Sequence, residues 1–229
     1  MSGGNKLEST MNGCRTRTGA EIDHGFGLQG RSLGILASGR GSDLQAIIDA
    51  VERRELDANI AVLITDEPSA LALERAKKHS IPFVVIEKGP LGRDEFCDRI
   101  DRALRRFGVD LVVLAGFMRI LSESFVSRWP CRIVNIHPAL LPSFPGAHAH
   151  RDALAHGVKV TGLTIHFVDE HVDHGPIIFQ YPVEVVEGDD EDSLSKRVLI
   201  QEHIWYPRVI GWALDGKVRV EGRRVHLSK

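Results

Sequence analysis

No apolar run in this chain reaches the roughly 18 residues that a membrane span requires, and its N-terminus lacks the basic-then-apolar layout of a signal peptide. Cysteine is scarce: Cys14, Cys97 and Cys131 are odd in number and far apart, so the sequence offers neither a disulfide framework nor a CxxC metal or redox pair. A reducing, cytoplasmic setting fits that usage. Aromatics make up only 6%, and charge of either sign is hardly in excess, with 29 basic and 31 acidic residues for a net charge of −2. No basic run of five or more occurs, which argues against nucleic acid or a membrane surface as the main partner. Any anionic ligand must then be held by a local device. What is present is ordinary for a globular protein: 229 residues, 43% of them hydrophobic, enough for one large or two small domains whose core needs no staples.

Residues 1–32 hold seven glycines, scattered charges and no sustained apolar period. They cannot bury enough surface to offset the entropy of ordering and are expected to form a flexible N-terminal extension, whether a functional arm, a vector-derived leader or the result of a misassigned start codon. From Leu33 onward, short aliphatic runs alternate with amphipathic stretches, the pattern of βα units on a parallel sheet. Strands are predicted at Leu33–Ala37, Asn59–Ile64, Phe83–Ile86, Asp110–Ala115 and Arg132–Ile136, and helices at Ser42–Arg53, Ser69–His79 and Arg93–Phe107. The expected fold is α/β, a doubly wound and mostly parallel sheet. After residue 158 the texture changes. Val160–Val168 alternates, with Leu163, Ile165 and Phe167 on one face and Thr164, His166 and Val168 on the other. Pro176–Val185 follows, and the two runs are expected as antiparallel additions. Asp189, Asp190 and Ser193 should open a long C-terminal helix to about Ala213, kinked at Pro207, before a hairpin over Lys217–Leu227.

Several motifs sit where such a sheet binds ligands, at the carboxyl ends of its strands. The first strand runs through Ser38-Gly39-Arg40-Gly41-Ser42-Asp43 straight into a helix, which makes a phosphate cradle by position. It is neither GxGxxG nor GxxxxGK[ST], so dinucleotide and triphosphate readings lose support. The same residues also suit a tight βα turn with Ser42 or Asp43 as N-cap, and a carboxylate beside a phosphate is repulsive unless it faces away. The fifth strand ends Asn135-Ile136-His137-Pro138, setting an amide that can hold an oxyanion beside an imidazole that can move a proton. Asp173, in the turn between the antiparallel runs, can be brought up to His137, although Asp before Gly also suits ordinary turn chemistry. Arg93 and Arg119 lie near the same edge and can meet a ligand carboxylate. The apolar residues around Arg119 suit a flat ring or ordinary packing, and Glu202 falls on or near the inward stripe of the last helix. Eight of the eleven histidines lie between His137 and His203, but their spacings, including His148-Ala149-His150 and His171-Val172-Asp173-His174, match no closed metal site. No metal is expected.

Taken together, Ser38-Gly39-Arg40-Gly41-Ser42, the run Leu114–Leu121, Asn135-Ile136-His137-Pro138 and the stretch from Gly162 through Asp173-His174-Gly175 closely resemble the phosphoribosylglycinamide formyltransferases. The resemblance spans Leu33–Leu227 and implies a single formyltransferase domain over residues 33–229. Its phosphate-binding parallel half is 33–137 and its folate-binding and catalytic half 138–229. It implies transfer of a formyl group from 10-formyltetrahydrofolate, as co-substrate and without a metal, to the amine of 5-phosphoribosylglycinamide in purine synthesis. By position, Gly41, Ser42 and Asp43 match the loop that holds the ribotide phosphate, and Glu202 matches a ribotide-site residue facing the ribose and glycinamide end. Asn135, His137 and Asp173 match the catalytic trio, in which the asparagine steadies the formyl oxygen and the aspartate favours the protonated imidazole. Arg93, Met118, Arg119, Ile120, Leu121 and Asn135 match the folate site. Two departures stand out: Asp43 occupies a position where the family usually has asparagine, and residues 1–32 have no counterpart in its typical bacterial form.

Methionyl-tRNA formyltransferase and formyltetrahydrofolate deformylase share this core and the Asn, His and Asp set. The first carries a further RNA-contacting domain and the second an N-terminal regulatory domain, and neither is expected here. A folate- or nucleotide-binding module without turnover is a third reading, disfavoured by the intact trio. Both a monomer and a homodimer remain open.

Overall fold

The computed structural model describes residues 28 and 30–228. Most of the expected extension lies outside the described residues, but its last part belongs to the fold. The first strand, β1 (Ser32–Leu36), begins one residue earlier than predicted. Arg31 is tied to Asp57 and Asp215, and the Ser32 amide donates to Asp110 Oδ2 at 3.0 Å.

From β1 the chain continues through α1 (Ser42–Glu52), β2 (Asn59–Thr65), α2 (Leu71–Lys78), β3 (Phe83–Val85), α3 (Arg93–Arg106), β4 (Leu111–Leu114), α4 (Glu123–Arg128), β5 (Ile133–His137) and α5 (Ala149–His156). Then come β6 (Val160–Phe167), β7 (Ile177–Glu184), α6 (Glu191–Leu214), and a hairpin of β8 (Val218–Glu221) and β9 (Arg224–Leu227). Seven strands form one sheet in the order β3-β2-β1-β4-β5-β6-β7. The first five are parallel, and β6 and β7 are antiparallel additions beside β5. The fold class and the order of predicted strands hold, with ends shifted by one or two residues, and α4 and α5 are additions that the sequence pattern did not suggest.

The aliphatic runs divide by alternation into two cores. Leu33, Ile35, Leu63, Leu111, Val113 and Val134 pack under α1, α2 and α6, whereas Leu36, Val62, Ile64, Val112, Leu114 and Ile133 pack under α3 and α4. Both faces of the sheet are thus covered, which is why the parallel strands read as unbroken hydrophobic runs. The same holds for β6, whose two predicted faces are both buried.

Helix α6 starts as its sequence suggests. Asp190 is the N-cap in a reciprocal capping box with Ser193, and Asp189 takes a two-pronged bond from Arg197 at 2.7 and 2.8 Å. The helix runs continuously through Pro207. Tyr206 fixes it over the sheet, its hydroxyl shared between the carbonyls of Leu114 at 2.8 Å and Val134 at 3.0 Å.

Candidate active site

The strand order reverses between β1 and β4, and in an open α/β sheet the crevice beyond such a reversal is where ligands sit. The two loops leaving these strands are knitted together there. The Ser38 amide donates to the Gly116 carbonyl at 3.0 Å, and the Met118 amide donates to Ser38 Oγ at 2.9 Å. The cradle loop and the loop carrying Arg119 therefore share one edge.

Gly41 is the N-cap of α1, with φ of 66°, and no side chain caps the helix. The alternative of Ser42 or Asp43 as N-cap is corrected by this geometry. A Cβ at position 41 would lie 2.8 Å from the Ala72 Cβ, so both the left-handed backbone and the approach of α2 call for glycine. The first amides of α1 are left without a side-chain acceptor, and with the positive end of the helix dipole they suit an anion.

Asp43 does not cap these amides. It turns into the seam between α1 and α6, its side chain 12% exposed, with Oδ1 unpartnered and 3.8 Å from an equally unpartnered His203 Nε2. Burial raises its carboxyl to about pKa 6, a rise that Arg40 opposes. Glu202, from α6, is buried beside it, and burial first, then the Asp43 charge, pushes its carboxyl well above the ordinary range. Burial also lowers His203, helped by Arg75 and opposed by Asp49.

Alternation along β5 sets Asn135 and His137 on one face. His137 is 4% exposed. Its Nδ1 lies 3.3 Å from Asp173 Oδ2, and its Nε2 lies 2.8 Å from the Phe144 carbonyl. Both ring nitrogens therefore face oxygen atoms. Asp173 reaches this position through a tight turn. Its own φ is 51°, and two residues on, a Cβ at Gly175 would fall 1.8 Å from the Phe167 carbonyl oxygen. Only glycine lets the turn press so closely on β6. The Gly146 amide also donates to Asp173 Oδ2 at 2.8 Å, joining the loop after β5 to the turn. Thr164 holds that loop from below, donating to the Ala139 carbonyl at 2.6 Å and accepting from the Leu141 amide at 3.0 Å.

The structure adds a residue that sequence reasoning placed on a strand face without a role. His166 lies directly opposite Asn135 in the antiparallel β5–β6 pairing, as Thr164 lies opposite His137. His166 is 2% exposed, and burial holds it below its ordinary pKa against the Phe167 carbonyl and the Asp173 charge. With its Nδ1–H given to the Phe167 carbonyl at 2.8 Å, its Nε2, 3.2 Å from Asn135 Nδ2, is left to accept an amide hydrogen. That fixes the orientation of the amide and leaves its other N–H for a ligand.

Around this centre the remaining predicted residues are spread along the edge. Arg93 opens α3, where a cation is disfavoured by the helix dipole. Arg119 is half exposed and pairs through Nε with the buried Asp66, a partner that the sequence did not suggest. Met118 and Ile120 are 68% and 55% exposed, which removes core packing as their explanation, whereas Leu121 is buried. Among the described residues one group has metal-ligand composition: Asp169, His171 and His174 bring one donor atom each within 4.8 Å of one another. His174 Nδ1 is already bonded to Asp169 at 2.7 Å, and Arg223 lies 3.0 Å from its Nε2.

A family model described as formyl transferase matches residues 32–210. The phosphoribosylglycinamide formyltransferase of Escherichia coli (strain K12) is 42% identical over 187 residues, covering 81% of this chain and 88% of that protein. Glycinamide ribonucleotide transformylase 1 from Symbiobacterium toebii superposes with a TM-score of 0.86 at 42% identity, over 87% of this chain and 95% of that one. A formyltetrahydrofolate deformylase from Pseudomonas syringae pv. tomato str. DC3000 gives a TM-score of 0.82 at 27% identity, covering 88% of this chain and 67% of its own.

Proposed function

The chain belongs to the formyl transferase family, and from that premise we propose that it acts as a phosphoribosylglycinamide formyltransferase. It moves the formyl group of 10-formyltetrahydrofolate to the amine of 5-phosphoribosylglycinamide, a step of purine synthesis. The observation that carries the chemistry is the cluster at the end of β5, where Asn135 shares an edge with a His137 backed by Asp173 at 3.3 Å. The neutral amine attacks the formyl carbon, and the charge that develops on the formyl oxygen is met by the free N–H of Asn135. His137 delivers a proton to the departing folate nitrogen while the attacking nitrogen gives one up, so the proton count balances. One imidazole can hardly serve both nitrogens, and water relays part of the transfer. No covalent enzyme intermediate is required, and much of the acceleration comes from holding two substrates in line.

Gly41 and Ser42 present the α1 amides to the ribotide phosphate, with Asp43 and Glu202 beside its sugar. Arg93 and the segment Met118–Leu121 receive the folate, the exposed Met118 and Ile120 lying along its ring and the cations near its carboxylates. No helix among the described residues is long and apolar enough to cross a membrane, in keeping with small soluble substrates.

The test is folate deformylation followed spectroscopically with purified protein and 10-formyltetrahydrofolate, with and without the ribotide. Turnover that requires the ribotide is the expected result. Turnover without it would favour a hydrolase, the activity named for the Pseudomonas relative, and none in either case would overturn the assignment.

A further inference from the structure

The turn between β6 and β7 gathers a set of donors that the formyl transfer does not use. Asp169, His171 and His174 each bring one ligand atom within 4.8 Å of the others. All three fall within six consecutive residues, so closing them around an ion costs little chain entropy. The turn itself, residues 168–175, carries the carboxylates of Asp169, Glu170 and Asp173 and no lysine or arginine. Two bonds already draw the set together. The His171 amide donates to Asp169 Oδ1 at 3.0 Å, and Asp169 Oδ2 lies 2.7 Å from His174 Nδ1. The His171 and His174 rings are neighbours, with centroids 5.1 Å apart.

Two imidazoles and one carboxylate suit a borderline transition-metal ion such as Zn²⁺, whereas Mg²⁺ and Ca²⁺ favour oxygen alone. Ligand bonds of about 2.0–2.1 Å put neighbouring donors of a tetrahedral zinc about 3.3 Å apart. The Asp169 to His174 separation is close to that spacing, and the wider gap within the set closes by turning the exposed imidazoles. Arg223, at the tip of the C-terminal hairpin, is the opposing group. Its Nη1 lies 3.2 and 3.0 Å from the two ring nitrogens of His174, and its Nη2 donates to the His174 carbonyl at 2.7 Å. The arginine is exposed and free to swing into solvent. His174 therefore has two alternative partners, this guanidinium and a metal ion.

We infer that Asp169, His171 and His174 bind one zinc-class ion, with water completing its coordination, and that the bound ion pins the turn that carries Asp173. The ion stands outside the formyl transfer and supplies none of its chemistry. Two of its ligands, His171 and His174, flank Asp173, whose φ of 51° and 3.3 Å approach to His137 depend on the shape of this turn. Metal binding thereby reaches Asp173 through the backbone.

The experiment titrates the untagged full chain with Zn²⁺ against a chromophoric chelator, without substrates, so its outcome is independent of the reaction proposed above. Wild type should bind a single ion per chain, and Co²⁺ in its place should show the visible bands of a nitrogen- and oxygen-ligated ion. His171→Ala and His174→Ala, both at exposed positions, should each weaken binding by at least about tenfold, the loss that even an outer partner of a ligand causes. Asp169→Asn, which keeps an oxygen for the His171 amide, should weaken it likewise. Arg223→Ala should tighten it about three- to tenfold by removing a nearby positive charge. Hydrogen exchange at the amides of residues 170–175 should slow with Zn²⁺ in wild type and stay unchanged in the histidine variants. No uptake by wild type up to about 0.1 mM free Zn²⁺, or uptake that both histidine variants retain, overturns the site. Binding that leaves exchange in the turn unchanged overturns the pinning.

Discussion

Replacing Asp173 by asparagine changes one atom and removes one charge. The left-handed φ of 51° at this position suits asparagine as well as aspartate, and an asparagine oxygen can still accept from the Gly146 amide, so the turn should keep its shape. What is lost is the charge 3.3 Å from His137 Nδ1. At an effective dielectric of about 20, two unit charges at that distance attract by about 5 kcal/mol. A neutral amide oxygen that still accepts the hydrogen bond recovers about 1 kcal/mol of this. Solvation of the freed imidazolium recovers more, leaving a deficit of about 3–4 kcal/mol when the protonated ring must act. At 1.36 kcal/mol per decade, kcat should fall about 10²- to 10³-fold. The KM values should move only a few-fold, because Asp173 is placed to act on the proton donor rather than on either substrate. Steady-state kinetics on 10-formyltetrahydrofolate with the ribotide, together with a thermal melt to confirm the fold, reads both quantities. A kcat within threefold of wild type in a folded Asp173→Asn protein would refute the view that this carboxylate charge supports His137.

His166→Phe keeps a planar ring, though a larger one, and removes the acceptor for Asn135 Nδ2, so the amide can rotate. Turnover should drop about 10- to 100-fold at nearly unchanged KM, and an unchanged kcat would remove His166 from the site. Gly41→Ala forces a Cβ into Ala72 and strains a left-handed backbone. It should cost about 1–3 kcal/mol in a denaturant melt and raise KM for the ribotide more than for the folate. The folded-state pKa of Asp43, about 6, stands above its unfolded value of 3.8, so its ionisation opposes folding. Wild type should lose about 1–3 kcal/mol between about pH 4 and pH 6 that Asp43→Asn retains, giving a variant that melts higher at pH 7 but not at pH 4, as calorimetry would show.

Much of this architecture is legible along the chain because it is local. The aliphatic runs of β1, β2, β4 and β5 announce strands covered on both faces, and the acids and serine before α6 announce its cap. The short helices α4 and α5 escaped because six and eight residues carry too little period to separate from loop. Asn135 and His137 stood out as polar residues two apart at the end of an apolar strand. Met118 and Ile120 were placed at the site by the family resemblance, since taken alone an apolar residue near a strand reads as core until its exposure is known.

Other features of the site depend on distance in the chain. Asp173 comes to His137 from 36 residues away, and Asp66 to Arg119 from 53. His166 acquires its partner only through the register of β5 against β6, which pairs it with Asn135 rather than with a neighbour one residue along. A histidine on a buried strand is indistinguishable in sequence from a packed core residue, because alternation fixes the face and says nothing of the strand opposite. By itself the sequence determined which segments are strands and helices, where the strand ends put their polar groups, and which motifs belong together. Only the tertiary structure decided that α1 carries no side-chain cap, that Asp43 turns away from those amides toward His203, that Asp173 meets His137, and that His166 meets Asn135. Propensity and periodicity are properties of neighbours in the chain, whereas burial and charge pairing are properties of neighbours in space.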